Sequence, residues 1–225
     1  MKNADGWKQT RSEVFWGEVA PCDHVLQIYE NDDIFLDALA GYVGAGINAG
    51  DCCIVIGTAS HLKALEQRLH EHVVSVDTLI ADGRYVPLDA DETLAKFMVN
   101  GMPDEKKFMQ TFKGLLKLFR RTNRNVRAFG EMVALLWKKG FHKATLRLEQ
   151  LWDILCKEEK FSLFCAYPEN VFKNKKEIEA AIHVCGTHSK MIAGSEKQLR
   201  EVFYRNIGEK GKGKNELEYK LKIRD

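Results

Sequence analysis

The feature that most constrains the fold of this chain is a regular alternation of short apolar runs with amphipathic segments, which begins near residue 24. The apolar runs have the length and the β-branched or aromatic character of strands. The run over 52–56 is apolar throughout, as in strands buried on both faces of a parallel sheet. Five strands are predicted in this way, over residues 24–29, 52–56, 84–88, 126–129 and 161–167.

Amphipathic helices are predicted between these strands. The clearest covers residues 104–122, where apolar side chains recur at helical spacing, and another covers 143–158. The first helix of the chain is expected to end where Gly44, Gly46 and Gly50 occur, because glycine disfavours helix interiors. The residues expected to be mostly buried against the sheet are Phe112, Leu116, Leu151 and Trp152.

Strands that alternate with helices predict an α/β fold with a mainly parallel sheet flanked by helices. Past residue 175 the apolar positions again follow helical spacing, through Leu199, Val202 and Phe203, and predict a helical C-terminal tail. We therefore expect an N-terminal arm over residues 1–20, one domain over 21–175, and a helical C-terminal extension with a basic tail over 176–225.

The composition is typical of a water-soluble globular protein, with 45% hydrophobic and 29% charged residues. A formal net charge of +2 provides no general attraction to nucleic acid or anionic membranes. No apolar run approaches the roughly 18 residues of a membrane span, and the first residues contain no apolar core of a secretory signal. Six cysteines without a CxxC pair favour a reducing compartment. The chain is therefore expected in the cytoplasm, with neither nucleic acid nor membrane as a partner.

The connection between the first strand and the first helix argues against ATP hydrolysis. A phosphate-binding loop at this place is rich in glycine and ends in Gly-Lys-Ser/Thr. Residues 30–33 instead read Glu-Asn-Asp-Asp, with three carboxylates that would repel a triphosphate. Residues 208–214 resemble GxxxxGK, but no apolar strand precedes them and asparagine follows. We expect no enzymatic activity and no cofactor.

Polar residues near the carboxyl ends of three predicted strands define the candidate ligand site. Open parallel sheets bind ligands outside these ends, and Tyr29, Glu131 and Tyr167 each lie at one. Glu131 has a second interpretation, as a first-turn glutamate that caps the following helix. Arg127 would offset the charge of the carboxylates. The residues expected to bind a small molecule are Tyr29, Glu30, Asp33, Arg127, Glu131 and Tyr167, and all of them except Asp33 are expected to share one cleft.

Other polar groups have ordinary structural interpretations. The segment around Glu149 fits an amphipathic helix with a solvated charged face. Cys165 lies in an apolar run, where free cysteine behaves as a small hydrophobic residue. His183, Cys185 and His188 are potential metal ligands, but their spacing matches no standard zinc pattern. No metal site is predicted.

Five strings, in this order, resemble the MEDS family (methanogen/methylotroph DcmR sensory domain). They are HVLQIYE at 24–30, GRYVPLDA at 83–90, FGEMVALLW at 129–137, LRLEQLW at 146–152 and FSLFCAYP at 161–168. The resemblance covers about residues 24–172, and the segment 182–189 resembles the helix that commonly follows. It implies a RecA/KaiC-like α/β fold from which the nucleotide-binding loop is missing.

The same resemblance implies a sensory role. Members are regarded as ligand-binding relatives of KaiC-like ATPases, found alone or joined to histidine kinases and transcription regulators, with a small organic compound as the ligand. Residues 175–225 contain no recognisable kinase or helix-turn-helix output, so we expect signalling through the tail or through a partner protein of one of these two classes. A homo-oligomer is left open. Two alternatives are a cryptic nucleotide-binding enzyme with Glu131 and Asp33 as its acid/base pair, and a structural adaptor that uses the RecA-like surface for protein contacts.

Overall fold

The structure of the chain, a computed structural model, describes residues 16–71, 75–120, 123–172, 184, 186–194 and 202–204. None of the helices in these ranges combines the length and apolar character needed to cross a membrane. The helices are α1 (Asp32–Ala49), α2 (Ala59–His70), α3 (Val76–Ala81), α4 (Ala90–Ala95), α5 (Glu105–Arg120), α6 (Met132–Lys138) and α7 (His142–Glu159). The strands are β1 (His24–Tyr29), β2 (Cys52–Gly57), β3 (Tyr85–Asp89), β4 (Met98–Val99), β5 (Met102–Pro103), β6 (Val126–Gly130), β7 (Ser162–Pro168), β8 (Lys190–Gly194) and β9 (Val202–Tyr204).

One sheet of seven strands forms the centre of the fold, in the order β3-β2-β6-β7-β1-β8-β9. The strands from β3 to β8 in this order are parallel, and β9 pairs antiparallel with β8 at the edge. Because parallel strands end at the same edge, the carboxyl ends of β1, β2, β6 and β7 lie side by side. The predicted α/β fold with a mainly parallel sheet flanked by helices is confirmed.

The sheet separates two hydrophobic cores, because successive side chains of a strand point to opposite faces. One core contains α1, α2 and α3, together with Val25 and Tyr29 of β1. The other contains α4, α5, α6 and α7, together with Leu26 of β1. We refer to these sides of the sheet as the α1 face and the α7 face. The four core residues predicted from the sequence are all buried on the α7 face, as expected.

The first helix is longer than predicted. It continues to Ala49 and contains two of the three glycines that were expected to end it, and it stops at Gly50, where φ is 82°. Gly46 lies inside the helix, and position 46 needs a residue without a Cβ atom because that atom would be 2.7 Å from both Arg127 Cδ and Cys53 Sγ. Close approach of α1 to the sheet, and not helix termination, therefore explains this glycine.

The predicted helical C-terminal tail needs a correction. Residues 190–194 form β8, which pairs with β1, and residues 202–204 form β9. Without β8, the backbone N–H and C=O groups on that side of β1 would have no strand partner, and satisfying them outweighs the local helical spacing. Residues 184, 186 and 187 are helical as expected, whereas residues 176–183, 185, 195–201 and 205–225, which include 208–214, lie outside the described residues, as do residues 1–15 of the predicted arm.

Candidate functional site

Glu131 connects two neighbouring strands at the carboxyl edge of the sheet. It directly follows β6, its side chain is buried, and its backbone N–H donates to the carbonyl of Ile56 on β2. One carboxylate oxygen accepts from the backbone N–H of Thr58 at 2.8 Å, and the other lies 2.8 Å from His61 Nδ1. The side chain makes no capping hydrogen bond to α6. The interpretation of Glu131 as a helix cap therefore does not describe the contacts of its carboxylate.

His61, in the first turn of α2, lies between two carboxylates. Its Nδ1 atom faces Glu131, and its Nε2 atom is 3.7 Å from Asp32 Oδ2 on α1. The hydrogen bond with Glu131 is the main cause of a raised pKa of His61, because it favours the protonated ring. Since the Asp32 side chain is 68% exposed, this row of three groups leads from the buried Glu131 to solvent.

Two aromatic rings form an apolar wall beside this row. Tyr29, at the end of β1, stacks on Phe35 of α1 with ring centroids 4.8 Å apart, and Phe35 meets the His61 ring edge-on at 5.1 Å. Burial, and then the charges of Glu131 and Asp32, raise the pKa of Tyr29, so its phenol stays neutral at physiological pH. We refer to Tyr29, Asp32, Phe35, His61 and Glu131 as the edge cluster.

Glu30 and Asp33 lie at the exposed margin of the edge cluster. Glu30 is exposed in the connection between β1 and α1. Asp33 is exposed in the first turn of α1 and pairs with Arg68 of α2 at 2.8 Å. Arg68 also contacts Asp37 of α1. These carboxylates therefore face solvent, and Asp33 helps to hold α1 against α2 at the surface.

The structure does not bring Arg127 to the edge cluster. Arg127 points to the α1 face, but it lies near the amino end of β6, roughly 13 Å before Glu131 along an extended strand. Its Nε donates to Asp51 Oδ2 at 2.8 Å, and its Nη1 donates to the carbonyl of Trp16 at 2.8 Å. Arg127 thus belongs to a buried ion pair toward the amino edge of the sheet, and the expectation that it shares a cleft with Glu131 is not met.

Tyr167 lies on the other side of the sheet from Tyr29. It belongs to the core of the α7 face, whereas Tyr29 belongs to the core of the α1 face. The Tyr167 hydroxyl donates to Glu149 Oε1 of α7 at 2.6 Å. The expected single cleft therefore does not extend to Tyr167, because a position at a strand end does not determine on which face a side chain lies.

A second group of polar side chains, not expected from the sequence, is enclosed on the α7 face. His24 begins β1, Glu149 lies on α7, Cys165 lies on β7 and His188 precedes β8. Each of these side chains is at most 3% exposed. One potential ligand atom from each side chain lies within 4.8 Å of the other three. We refer to His24, Glu149, Cys165 and His188 as the buried cluster.

The contacts within the buried cluster converge on Glu149. Its Oε2 atom is 3.5 Å from His24 Nε2 and 3.5 Å from His188 Nε2. His24 Nε2 is in turn 3.4 Å from Cys165 Sγ. The other carboxylate oxygen of Glu149 is the acceptor for Tyr167, so this hydrogen bond fixes the orientation of the carboxyl group.

Burial determines the charge of these groups. It raises the pKa of Glu149 to about 8 and lowers the pKa of His188 to about 4. Burial is also the main cause of a lowered pKa of His24 and a raised pKa of Cys165. Without a further charge nearby, the buried cluster is therefore largely neutral at physiological pH.

The sequence interpretation missed the buried cluster for identifiable reasons. The expected solvated charged face of α7 is wrong at Glu149, which is 0% exposed. Cys165 is buried as expected, but its thiol faces a polar cluster. His183 and Cys185, the other two potential ligands of that segment, lie outside the described residues. The signal that was available is the occurrence of His24 and Cys165 among the polar residues of the mostly apolar strings HVLQIYE and FSLFCAYP.

The chain has a RecA/KaiC-like α/β fold. An uncharacterized Pyrococcus horikoshii protein, solved in complex with an unknown peptide, aligns with a TM-score of 0.60 and 12% identity over 83% of each chain. A KaiC-like protein from the same archaeon aligns with a TM-score of 0.53 and 10% identity over 82% of this chain and 80% of its own. The flagellar accessory protein FlaH from Methanocaldococcus jannaschii aligns with a TM-score of 0.50 and 10% identity over 85% and 77%. At these identities the likeness establishes the fold alone.

The amino-acid sequence shows the family to which the chain belongs. The model of the MEDS family, the methanogen/methylotroph DcmR sensory domain, matches residues 23–189. This match covers well over half of the chain, so the protein belongs to the MEDS family, and membership supports a sensory role. No curated protein matches the chain by sequence. The edge cluster and the buried cluster both lie within the matched residues.

Proposed function

We propose that this chain is a non-enzymatic sensory module that binds a small organic ligand at the edge cluster and signals through a partner protein. The observation that carries the proposal is the row of Glu131, His61 and Asp32 beside two stacked rings. Open α/β sheets bind small molecules at their carboxyl edge. A few polar groups on an apolar wall are the usual composition of such sites. Family membership supports the sensory part of the proposal.

The edge cluster favours a ligand with a short apolar body and one hydrogen-bonding group. Both carboxylate oxygens of Glu131 already have partners, so its role is to orient His61 and to favour the protonated ring. The 3.7 Å between His61 Nε2 and Asp32 is longer than a hydrogen bond, so Nε2 can donate to a ligand oxygen instead. The stacked rings would contact the apolar body of an alcohol, a carboxylate or a related compound.

The short connection between β1 and α1 supports the absence of ATP hydrolysis. Only Glu30 and Asn31 lie between the two elements, and the Asn31 side chain accepts from the backbone N–H of Ile34 at 3.1 Å. Asp32 and Asp33 occupy the first turn of α1, where a phosphate would otherwise be bound by the helix N-terminus. A loop that wraps phosphates needs more residues, and these include glycines.

The output of the module is proposed to involve α2. Leu65 and Leu69 are buried and five of its twelve residues are exposed, so one side of the helix is accessible to a partner. A ligand that binds His61 would compete with Asp32 and change how α2 contacts α1. We propose a histidine kinase or a transcription regulator as the partner. The five described cysteines are all free, which supports the cytoplasm as the compartment.

The experiment is a thermal-shift screen of the full chain against small alcohols, carboxylates, halogenated one-carbon compounds and nucleotides with Mg²⁺. A ligand at a hundredfold excess over its Kd stabilises the native state by about 2.7 kcal/mol, which a melting curve detects. Stabilisation by a small organic compound should be lost in Glu131→Gln and in His61→Gln. Glu105→Gln, which breaks an exposed ion pair with Arg147 on the α7 face, is the control that should bind normally.

Three results would contradict the proposal. Stabilisation by ATP and Mg²⁺ that depends on Glu131 would favour the nucleotide-binding enzyme instead. A complete lack of small-molecule binding, together with a partner that binds through the edge cluster, would favour the adaptor. A small-molecule ligand whose binding is unaffected by Glu131→Gln and His61→Gln would place the ligand site elsewhere.

A further inference from the structure

We propose that the buried cluster is a zinc site, with His24 Nε2, Glu149 Oε2, Cys165 Sγ and His188 Nε2 as the four ligands. The site lies on the α7 face, across the sheet from the edge cluster, so it does not depend on the function proposed above. Four protein ligands that are all enclosed by the fold are the mark of a structural zinc site, since catalytic sites keep one position open.

The distances within the buried cluster match the edges of a zinc coordination tetrahedron. Zinc bonds of about 2.0–2.2 Å to nitrogen or oxygen and about 2.3 Å to sulfur place neighbouring ligand atoms roughly 3.3–3.6 Å apart. Both oxygen–nitrogen distances from Glu149 are 3.5 Å. The nitrogen–sulfur distance between His24 and Cys165 is 3.4 Å. The widest pair of ligand atoms is within 4.8 Å, so small side-chain rotations complete the tetrahedron.

The oxygen–nitrogen distances are too long for the hydrogen bonds that would otherwise satisfy these groups. Such bonds measure roughly 2.7–3.2 Å. Among the described residues, Glu149 Oε2 and His188 Nε2 make no hydrogen bond of standard geometry, although both are fully enclosed. A buried polar atom without a partner destabilises a fold. A cation between the four side chains removes that cost.

Two outer contacts already orient the ligands for a metal. His188 Nδ1 lies 2.7 Å from the carbonyl of Val184, and a carbonyl only accepts, so Nδ1 carries the proton and Nε2 presents its lone pair to the cluster. Tyr167 donates to Glu149 Oε1 and leaves Oε2 for the ion. Zinc sites characteristically fix the tautomer of a histidine and the orientation of a carboxylate in this way.

Charge and donor type select zinc. A thiolate and a carboxylate together carry two negative charges, which a divalent cation neutralises, so the enclosed site has no net charge. Calcium and magnesium prefer sites made of oxygen atoms, whereas two imidazoles and a thiolate suit zinc. The ion would join β1, α7 and β7 to the segment that leads into β8, and so fix the position of β8 beside β1.

The test uses the full chain, stripped of metal with a chelator and then titrated with Zn²⁺ or Co²⁺ alone. We expect one Zn²⁺ per chain by elemental analysis and a higher melting temperature with Zn²⁺ than without it. Co²⁺ should give the visible bands of a tetrahedral site and a near-ultraviolet thiolate-to-cobalt charge-transfer band. The variant Cys165→Ser should lose the charge-transfer band.

The matched control is Cys53→Ser, because Cys53 is also buried in a central strand but on the α1 face. It should keep the band. A wild-type chain that binds neither metal, or a band that survives Cys165→Ser, overturns the proposal, as does a band lost equally in both cysteine variants. If Cys165→Ser does not fold, Glu149→Gln decides the question. This variant keeps an acceptor for the Tyr167 hydroxyl. It should weaken Zn²⁺ binding more than ~10-fold, because losing even a contact to a zinc ligand weakens metal binding by about that factor. An unchanged Zn²⁺ affinity contradicts the site.

Discussion

The substitution Asp51→Asn removes the charge that balances Arg127 and leaves the size of the side chain unchanged. Arg127 Nε lies 2.8 Å from Asp51 Oδ2, and the two side chains are only 6% and 8% exposed. Arg127 also donates to the carbonyl of Trp16, and its guanidinium lies 5.5 Å from the centroid of the Tyr42 ring. The ion pair is thus shielded from solvent, where an unbalanced charge is costly.

The expected magnitudes follow from which charge is left behind. Removing one partner of a buried ion pair costs about 3–5 kcal/mol. The guanidinium cannot lose its proton, but asparagine still accepts its hydrogen bond, so for Asp51→Asn we expect the low end, about 3 kcal/mol. Arg127→Met leaves a carboxylate that can take up a proton, so we expect about 2 kcal/mol. The double variant contains neither charge and should lose about 1 kcal/mol or less.

The assay is equilibrium unfolding in urea at neutral pH, monitored by tryptophan fluorescence. The wild type, the two single variants and the double variant are compared, and equal m-values show that their free energies of unfolding are comparable. The control is Asp91→Asn, which breaks an exposed pair with Lys139 and should cost less than about 1 kcal/mol. A loss below about 1 kcal/mol for Asp51→Asn would refute the reasoning. So would a double variant less stable than Asp51→Asn.

Three further predictions concern the core, the edge cluster and the first helix. Trp152→Ala should cost about 3–5 kcal/mol in urea unfolding, because its ring is buried between the sheet and α5; a loss below about 1 kcal/mol would mean that the inner face of α7 is wrongly assigned. Because the pKa of His61 is raised, its stabilising effect is complete below the ordinary value of about 6.5 and is lost as pH rises through the folded value. His61→Gln should therefore destabilise more at about pH 5.5 than at about pH 9, and a pH-independent difference would exclude the ion pair. Gly46→Ala should lower the free energy of unfolding by about 1–3 kcal/mol because its Cβ would collide with Arg127. Gly114→Ala, in open space on α5, is the control and should stabilise by up to about 1 kcal/mol. Equal effects of the two substitutions would contradict the close approach of α1 to the sheet.

The parts of the fold that depend on local pattern could be predicted from the sequence. The strands β1, β2, β3, β6 and β7 are short, largely apolar runs, and the helical segments between them predict parallel pairing with helices on both faces. β8 could not be predicted, because residues 190–194 are a strand through their pairing with β1, which is remote in the sequence. Gly46 was misinterpreted for the same reason, since Arg127 lies on a strand far along the chain.

The candidate site was predicted only to the extent that strand ends reveal it. Tyr29 ends β1 and Glu131 follows β6, and both strands end at the same edge, so the proximity of the two residues could be inferred. The position of His61 could not be inferred, because nothing in the first turn of α2 indicates that this ring meets the carboxylate that follows β6. The buried cluster depends on the order of strands in the sheet, which places β7 next to β1 and thereby Cys165 next to His24. Strand order is not encoded in hydrophobic periodicity.

The two-residue connection between β1 and α1 also limits how this chain can evolve. Point mutations can change Glu30 and Asn31, but they cannot lengthen the connection. A glycine-rich phosphate loop needs an insertion of roughly four residues at this place. Such an insertion would displace the first turn of α1, and with it Asp32 and Phe35, away from His61. A lineage with this connection can therefore vary the edge cluster by substitution, but gaining a phosphate loop here would require losing the present edge cluster.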